Sequence, residues 1–345
     1  MARYPSSPFR RQRNRIRNRI LTILAVLIVG GVIAVIYAYR PFEGSTASEK
    51  AVGEVAGGEG SGLEEQAVAP EPALEPEPNL PKVAPAPVAE PGPEAAKLIE
   101  QATAALEAKP SRIIEARDTL NRALREPMNG QQRQFIKDKL SELADKWLFS
   151  RRIFPEDRLC GIYKVKPGDQ LRVIGGEFKV PHEILAEINY IRRAEALRSG
   201  EAIKVIHGPF NAKVYRSSFT MDLYLQNTFV RSFQVGLGKP GMETPTGLWA
   251  VKPGGKLRRP AWTNPITGER FEPDDPDYPL GSRWIGLDGL KGEAEGRTGF
   301  AIHGTKKPEE IGTAKSQGCI RLDNGDVILV YNLLEPVHSL VEVVD

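Results

Sequence analysis

The hydrophobic pattern divides the chain into stretches that obey different rules. Residues 20–39 read ILTILAVLIVGGVIAVIYAY, twenty positions without a charge. That is about the ~20 residues a helix needs to cross a bilayer core. Arg3, Arg10, Arg11, Arg13, Arg15, Arg17 and Arg19 precede the run. Positive charge stays on the cytoplasmic side, so 1–19 is expected to be a cytoplasmic tail, 20–39 a transmembrane helix, and the rest exported. The apolar run is longer than the ~7–15 residues typical of a signal peptide. It also ends in Tyr-Ala-Tyr-Arg rather than small residues, which favours an uncleaved anchor over a cleaved leader. Both readings export the body of the chain. Residues 40–93 then carry Pro, Glu, Ala and Gly with no aromatic after Phe42. Such a stretch buries too little apolar area to offset ordering entropy and is expected to be a disordered linker.

Beyond the linker the period changes to three and four. Ile113, Ala116, Leu120 and Leu124 repeat at helical spacing, as do Ile136, Leu140, Leu143 and Trp147. Breaks at Lys109-Pro110 and at Pro127 to Gly130 predict three helices over 94–150. The segment reads as a packing spacer or as a docking site for a protein partner. In 161–207 a strand (162–165), a Lys-Pro-Gly-Asp turn, two short helices (171–178 and 181–190) and a last strand (202–206) form a small α+β unit of βααβ order. Residues 208–345 then read as mostly β. Phe219 to Leu225 and Phe229 to Val235 alternate at period two around a Gln226-Asn227 turn. Further strands are expected at 247–251, 284–287, 299–303 and 339–344, with one helix over 327–334 capped by Asp326. Residues 252–283, rich in Pro, Gly and Asp, read as a long loop over the sheet, a kind usually functional or mobile.

Composition narrows the function. The net charge is +3, but removing the seven N-terminal arginines leaves 3 − 7 = −4 for the remainder. A slightly acidic body argues against nucleic-acid binding as the main activity. Two cysteines, Cys160 and Cys319, and four scattered histidines supply neither a disulfide framework nor a zinc pattern. No metal or cofactor site is expected.

Two strings carry chemistry: Phe300-Ala-Ile-His303-Gly304-Thr305 and Ser316-Gln-Gly318-Cys319-Ile-Arg321-Leu322. A cysteine attacks a carbonyl as thiolate, and so needs a lowered pKa or an adjacent base. Neutral imidazole at His303 suits that role, with a thiolate–imidazolium pair as the expected product. The two meet if the segment from Lys306 to Lys315 loops out and returns to the sheet. Gly318 permits close approach of substrate backbone. The amide N–H of Cys319, together with that of Gly318, is a candidate oxyanion donor. The Gly304 carbonyl is placed to orient the imidazole, and Arg321 to receive a substrate carboxylate. Ser316 either orients the thiol or caps the turn.

These strings resemble the catalytic signature of the L,D-transpeptidase (YkuD-like) family, and Glu243-Thr-Pro-Thr-Gly-Leu-Trp249 resembles its Thr-Pro-x-Gly stretch. Gln317 departs from the histidine that many members carry there. The resemblance implies a β-rich catalytic domain over 208–345 acting on peptidoglycan. Cys319 would attack the third-residue carbonyl of a stem tetrapeptide and release D-Ala. The acyl group would pass to an amine, giving a 3→3 cross-link in cell-wall biogenesis. Water as acceptor would make the protein an L,D-carboxypeptidase, and a silent site would make it a wall-binding scaffold. Residues 161–207 resemble the lysin motif (LysM) through Tyr163, Val165, Gly168-Asp169, Leu171, Ile174, Val180, Leu185, Asn189, Gly200 and Ile203. That resemblance implies binding of glycan strands, with Gly168, Asp169, Gln170 and Asn189 as candidate contacts. The expected location is the inner membrane, single-pass, with the catalytic domain in the periplasm or cell wall.

Overall fold

The computed structural model describes residues 92–345, which fall within one compact unit. The membrane helix expected at 20–39 lies outside the described residues, as does nearly all of the linker. Among the described residues, no helix is long and apolar enough to cross a membrane.

Three helices come first: α1 (Pro93–Glu107), α2 (Ile113–Ala123) and α3 (Gly130–Trp147). The apolar stripe seen in the sequence is the buried face, with Leu120, Ile136, Leu140 and Trp147 almost fully covered. Asn129 caps α3 in a capping box: its side chain accepts from the Gln132 amide, and the Gln132 side chain returns to the Asn129 amide.

A two-stranded sheet of β1 (Cys160–Lys164) and β2 (Ala202–Ile206) follows, enclosing α4 (Leu171–Glu177) and α5 (His182–Ile188). Lys204 on β2 is buried. Its ammonium donates to the carbonyls of Trp147, Leu148 (3.3 Å) and Ser150 (2.9 Å) at the end of α3. A cation there satisfies orphan carbonyls at the negative helix end and ties the small sheet to the helices.

The C-terminal part is built on an eight-stranded sheet. Its strands are β3 (Phe210–Tyr215), β4 (Thr220–Leu225), β5 (Thr228–Gln234), β7 (Gly247–Leu257), β10 (Trp284–Lys291), β11 (Phe300–His303), β13 (Ile320–Arg321) and β14 (Leu340–Val344). Their order is β13-β11-β10-β7-β14-β3-β4-β5. Two short pairs flank it. One joins β6 (Leu237–Gly238) to β12 (Ala314–Ser316), and the other joins β8 (Trp262–Thr263) to β9 (Arg270–Phe271). Helix α6 (Asn324–Leu333) buries Val327, Val330, Tyr331 and Leu333 in the core.

Three sequence expectations change. Strand β7 runs on to Leu257, so the expected loop over 252–283 begins as sheet and holds the β8–β9 hairpin. Asp323, not Asp326, caps α6, its carboxylate accepting from the Gly325 amide at 2.7 Å. The third change is at β3, which the pattern did not single out. Its alternation is clean, with Phe210, Ala212 and Val214 buried and Asn211 and Lys213 between them half-buried.

The sheet has two edges, and they do different things. At the β5 edge the helices close the ladder: Asn121 of α2 accepts from the Phe229 amide at 2.8 Å, which removes an exposed pairing edge. At the other edge β13 leads directly out of the Ser316–Cys319 turn.

Candidate active site

The site is assembled by one parallel pairing. β11 and β13 run side by side with His303 opposite Arg321 and Ile302 opposite Ile320. Residues sixteen apart in sequence are thereby neighbours, because Lys306 to Lys315 loops out and returns as β12. His303 and Cys319 line the same cleft, together with Ser316, Gln317 and Arg321. Trp262, Phe271, Leu280 and Trp284 give the cleft its apolar lining.

His303 is buried and its imidazole stacks on Trp284, centroids 5.7 Å apart at 15°. Nδ1 lies 2.6 Å from the Gly304 carbonyl oxygen. A carbonyl only accepts, so Nδ1 carries the proton and Nε2 is left with a free lone pair. Asn324 holds this arrangement. Its Oδ1 accepts from the Ser282 amide at 2.9 Å and its Nδ2 donates to the Thr305 carbonyl at 2.7 Å. A Cβ on Gly304 would sit 2.3 Å from Asn324 Oδ1, which is why glycine stands there.

Burial shapes both titrations. Desolvation holds the His303 imidazole down at about 4, with the Arg321 charge adding to it and the Gly304 bond opposing. Desolvation likewise pushes the Cys319 thiol up to about 11, against a backbone hydrogen bond from Ala301 and the Arg321 charge. Both shifts run toward the neutral forms, thiol and imidazole. Burial works against the thiolate–imidazolium pair expected from the sequence, because it penalises both charges.

The Ser316–Cys319 turn assigns the remaining groups. Ser316 Oγ accepts from the Gly318 amide at 3.1 Å and donates to the Cys319 carbonyl at 2.6 Å. Ser316 therefore caps the turn. The Gly318 N–H is occupied and unavailable as an oxyanion donor, contrary to expectation. What Gly318 supplies is its φ of +103° and its lack of a Cβ, which would stand 2.7 Å from the Phe300 ring. The Cys319 N–H has no acceptor among the described residues. Thr244, buried, donates to the Gly318 carbonyl at 2.9 Å and accepts from the Gly238 amide at 3.1 Å. Arg321 forms an ion pair with Glu310 on the looped-out segment, so a substrate carboxylate would compete with a resident one.

The remaining sequence candidates lie far along the chain, in the βααβ unit. Gly168 takes φ +85° in an exposed turn, and Asp169 accepts from Tyr163 Oη at 2.9 Å and the Lys166 amide at 2.7 Å. Gln170 is exposed at the start of α4. Asn189 is not placed to meet a ligand: it is buried, donates to the Leu185 and Lys204 carbonyls and accepts from the Lys204 amide. Both cysteines are free; Cys160 is buried, and burial pushes its thiol up to about 12. Among the described residues no group of His, Cys, Asp or Glu is arranged to hold a metal ion.

Sequence reasoning passed over Asn324 and Glu310, and it quoted Thr244 only as part of a string. Asn324 follows a capping aspartate at a helix start, a position that ordinarily signals only a turn. Glu310 lies in a segment read as loop.

A β-rich domain with cysteine and histidine brought together at a sheet edge, in a cleft walled by aromatic side chains, defines the class. The YkuD family model, an L,D-transpeptidase catalytic domain, matches residues 211–343. The putative L,D-transpeptidase YkuD of Bacillus subtilis is 31% identical over 173 residues, covering 48% of this chain and 88% of that protein. The probable L,D-transpeptidase ErfK/SrfK of Escherichia coli is 35% identical over 127 residues, covering 34% of this chain and 37% of that protein. A solved L,D-transpeptidase from Mycobacterium tuberculosis aligns with a TM-score of 0.32 at 17% identity, covering 42% of this chain and 62% of that one. The chain belongs to the YkuD family of L,D-transpeptidases.

Proposed function

We propose that the protein is a peptidoglycan L,D-transpeptidase with Cys319 as nucleophile and His303 as base. The observation that carries this is the shared cleft: it is lined by a free cysteine immediately before β13 and by a histidine on the paired strand β11 whose Nδ1–H is held by the Gly304 carbonyl.

A stem tetrapeptide enters the cleft with its third-residue carbonyl at the sulfur. The S–H proton passes to His303 Nε2 as the S–C bond forms. Nucleophile and base thus ionise together during attack rather than beforehand. The oxyanion is met by the Cys319 amide. The C–N bond to D-Ala breaks and the leaving amine takes the proton from His303. An acceptor amine then attacks the thioester, its proton returns through His303 to the departing sulfur, and a 3→3 cross-link results. Arg321, released from Glu310, receives a substrate carboxylate.

The βααβ unit resembles LysM, and we assign it to holding the glycan strand. Supporting this, the 166–170 and 198–201 turns lie side by side. Val165 accepts from the Gly200 amide at 2.8 Å and donates to the Glu201 carbonyl at 2.9 Å. Gly168, Asp169 and Gln170 would border the groove. The Arg-rich tail and apolar run support an inner-membrane anchor that leaves the catalytic domain in the periplasm or wall. Tethering there raises local substrate concentration without a new catalytic contact.

Intact-mass measurement after treatment with a carbapenem tests the central assignment. A stoichiometric adduct on the wild type that vanishes in Cys319→Ala is expected. No adduct on the wild type would instead favour a silent wall-binding scaffold. Muropeptide analysis then separates cross-linked dimers from tripeptides alone, the carboxypeptidase outcome.

A further inference from the structure

We infer that Thr244 is the positioning residue of the oxyanion site: its hydroxyl fixes and polarises the peptide whose N–H meets the developing charge. The inference rests on the catalytic assignment of Cys319.

The carbonyl of Gly318 and the N–H of Cys319 belong to one planar peptide unit, and in the trans form they point in opposite directions. Whatever holds the carbonyl therefore aims the amide. Thr244 Oγ1 donates to that carbonyl at 2.9 Å in a buried setting. The hydroxyl has one proton and spends it there. Its lone pair is occupied from behind by the Gly238 amide at 3.1 Å. The rotor is thus locked from both sides.

The backbone needs this lock. Gly318 sits at φ +103°, a glycine conformation with little intrinsic restoring force. The neighbouring Gly318 amide is tied to Ser316 Oγ, so that side of the turn is also fixed. Among the described residues the Cys319 amide is left as the donor without an acceptor. The chain of bonds runs from the Gly238 amide through Thr244 to the Gly318 carbonyl. Its far end is the Cys319 N–H. A hydrogen bond accepted by an amide carbonyl strengthens the same amide as a donor, so alignment and polarisation act together.

Thr244→Val removes the hydroxyl at nearly constant shape. Two reactions of Cys319 are compared in the full-length protein. Carbapenem acylation forms an oxyanion, whereas alkylation by iodoacetamide displaces iodide at a saturated carbon and forms none. Acylation is expected to slow ~10- to 100-fold, the scale of a misplaced or missing oxyanion donor. Alkylation is expected to stay within about twofold, and Thr244→Ser to recover most of the acylation rate by returning the hydroxyl. Thr244→Ala serves as second variant if valine impairs folding, and the amide proton shift of Cys319 gives a readout that needs no turnover. Unchanged acylation overturns the inference, as does an equal loss in both reactions. A wild type that is never acylated removes the catalytic assignment itself, a different failure that wild type alone reveals.

Discussion

At the scale of single residues, the site is defined by what burial does to charge. Cys319 and His303 are both pushed toward neutrality, and Arg321 favours thiolate while disfavouring imidazolium. The directions fix a pH behaviour. A cysteine already paired as thiolate would alkylate at a constant rate from mildly acidic pH upward. A thiol raised to about 11 gains thiolate only as pH climbs, so the rate of iodoacetamide modification should keep rising through pH 9 and still be climbing at pH 11. The measurement is the second-order rate from pH 6 to 11, with Cys319→Ala correcting for other groups; a plateau below pH 8 would sink the neutral-pair description. The same shifts bear on stability. The neutral His303 favours the fold fully above its unfolded value of ~6.5 and loses that advantage as pH falls toward 4. The string around Cys319 was legible because reactive side chains announce themselves by type. The work of Ser316, Gly318 and Thr244 was not, because it lies in which backbone group each touches.

At the scale of elements, legibility followed length and period. α2, α3, β4 and β5 repeat often enough for the pattern to show them. β6, β12 and β13 have two or three residues each, and no period can be read from so few positions. They exist because long-range pairing imposes them, and they are the strands that bring His303 beside Cys319. The βααβ unit shows the opposite error at Asn189, an apparent surface polar residue that serves instead as an internal bracket between α5 and β2. Asn189→Ala would remove two buried donations and one acceptance and strand the Lys204 amide and carbonyl. A loss of ~2–4 kcal/mol is expected, given ~1–3 kcal/mol for each unsatisfied buried group and partial repair by water. Urea unfolding followed by far-UV circular dichroism reads it. A midpoint equal to wild type would return Asn189 to the surface and reopen its assignment as a glycan contact.

At the scale of the whole molecule, the question is whether 92–150 is an appendage or part of the catalytic fold. The sequence left both readings open, since amphipathic helices show that they pack but not on what. The structure places α3 against β5 and sets one buried charge pair in the seam. Lys137 of α3 lies 2.7 Å from Asp222 of β4, whose carboxylate is almost completely covered and also accepts from Ser232 Oγ at 2.7 Å. Such a pair adds little net stability over apolar contact, but removing one partner leaves an uncompensated buried charge, a loss of ~3–5 kcal/mol. Lys137→Met is therefore expected to lower the unfolding midpoint of the catalytic domain itself, read by Trp fluorescence and by loss of carbapenem acylation in urea. Asp222→Leu in the same chain removes the stranded carboxylate and should return much of the loss, a coupling that only contacting residues show. If the helices were a detachable spacer, Lys137→Met would leave the acylation midpoint untouched and the double variant would add its costs. Recovery in the double variant means instead that the edge opposite the active site is closed by the protein's own helices, and that the sheet carrying Cys319 folds only as part of that larger body.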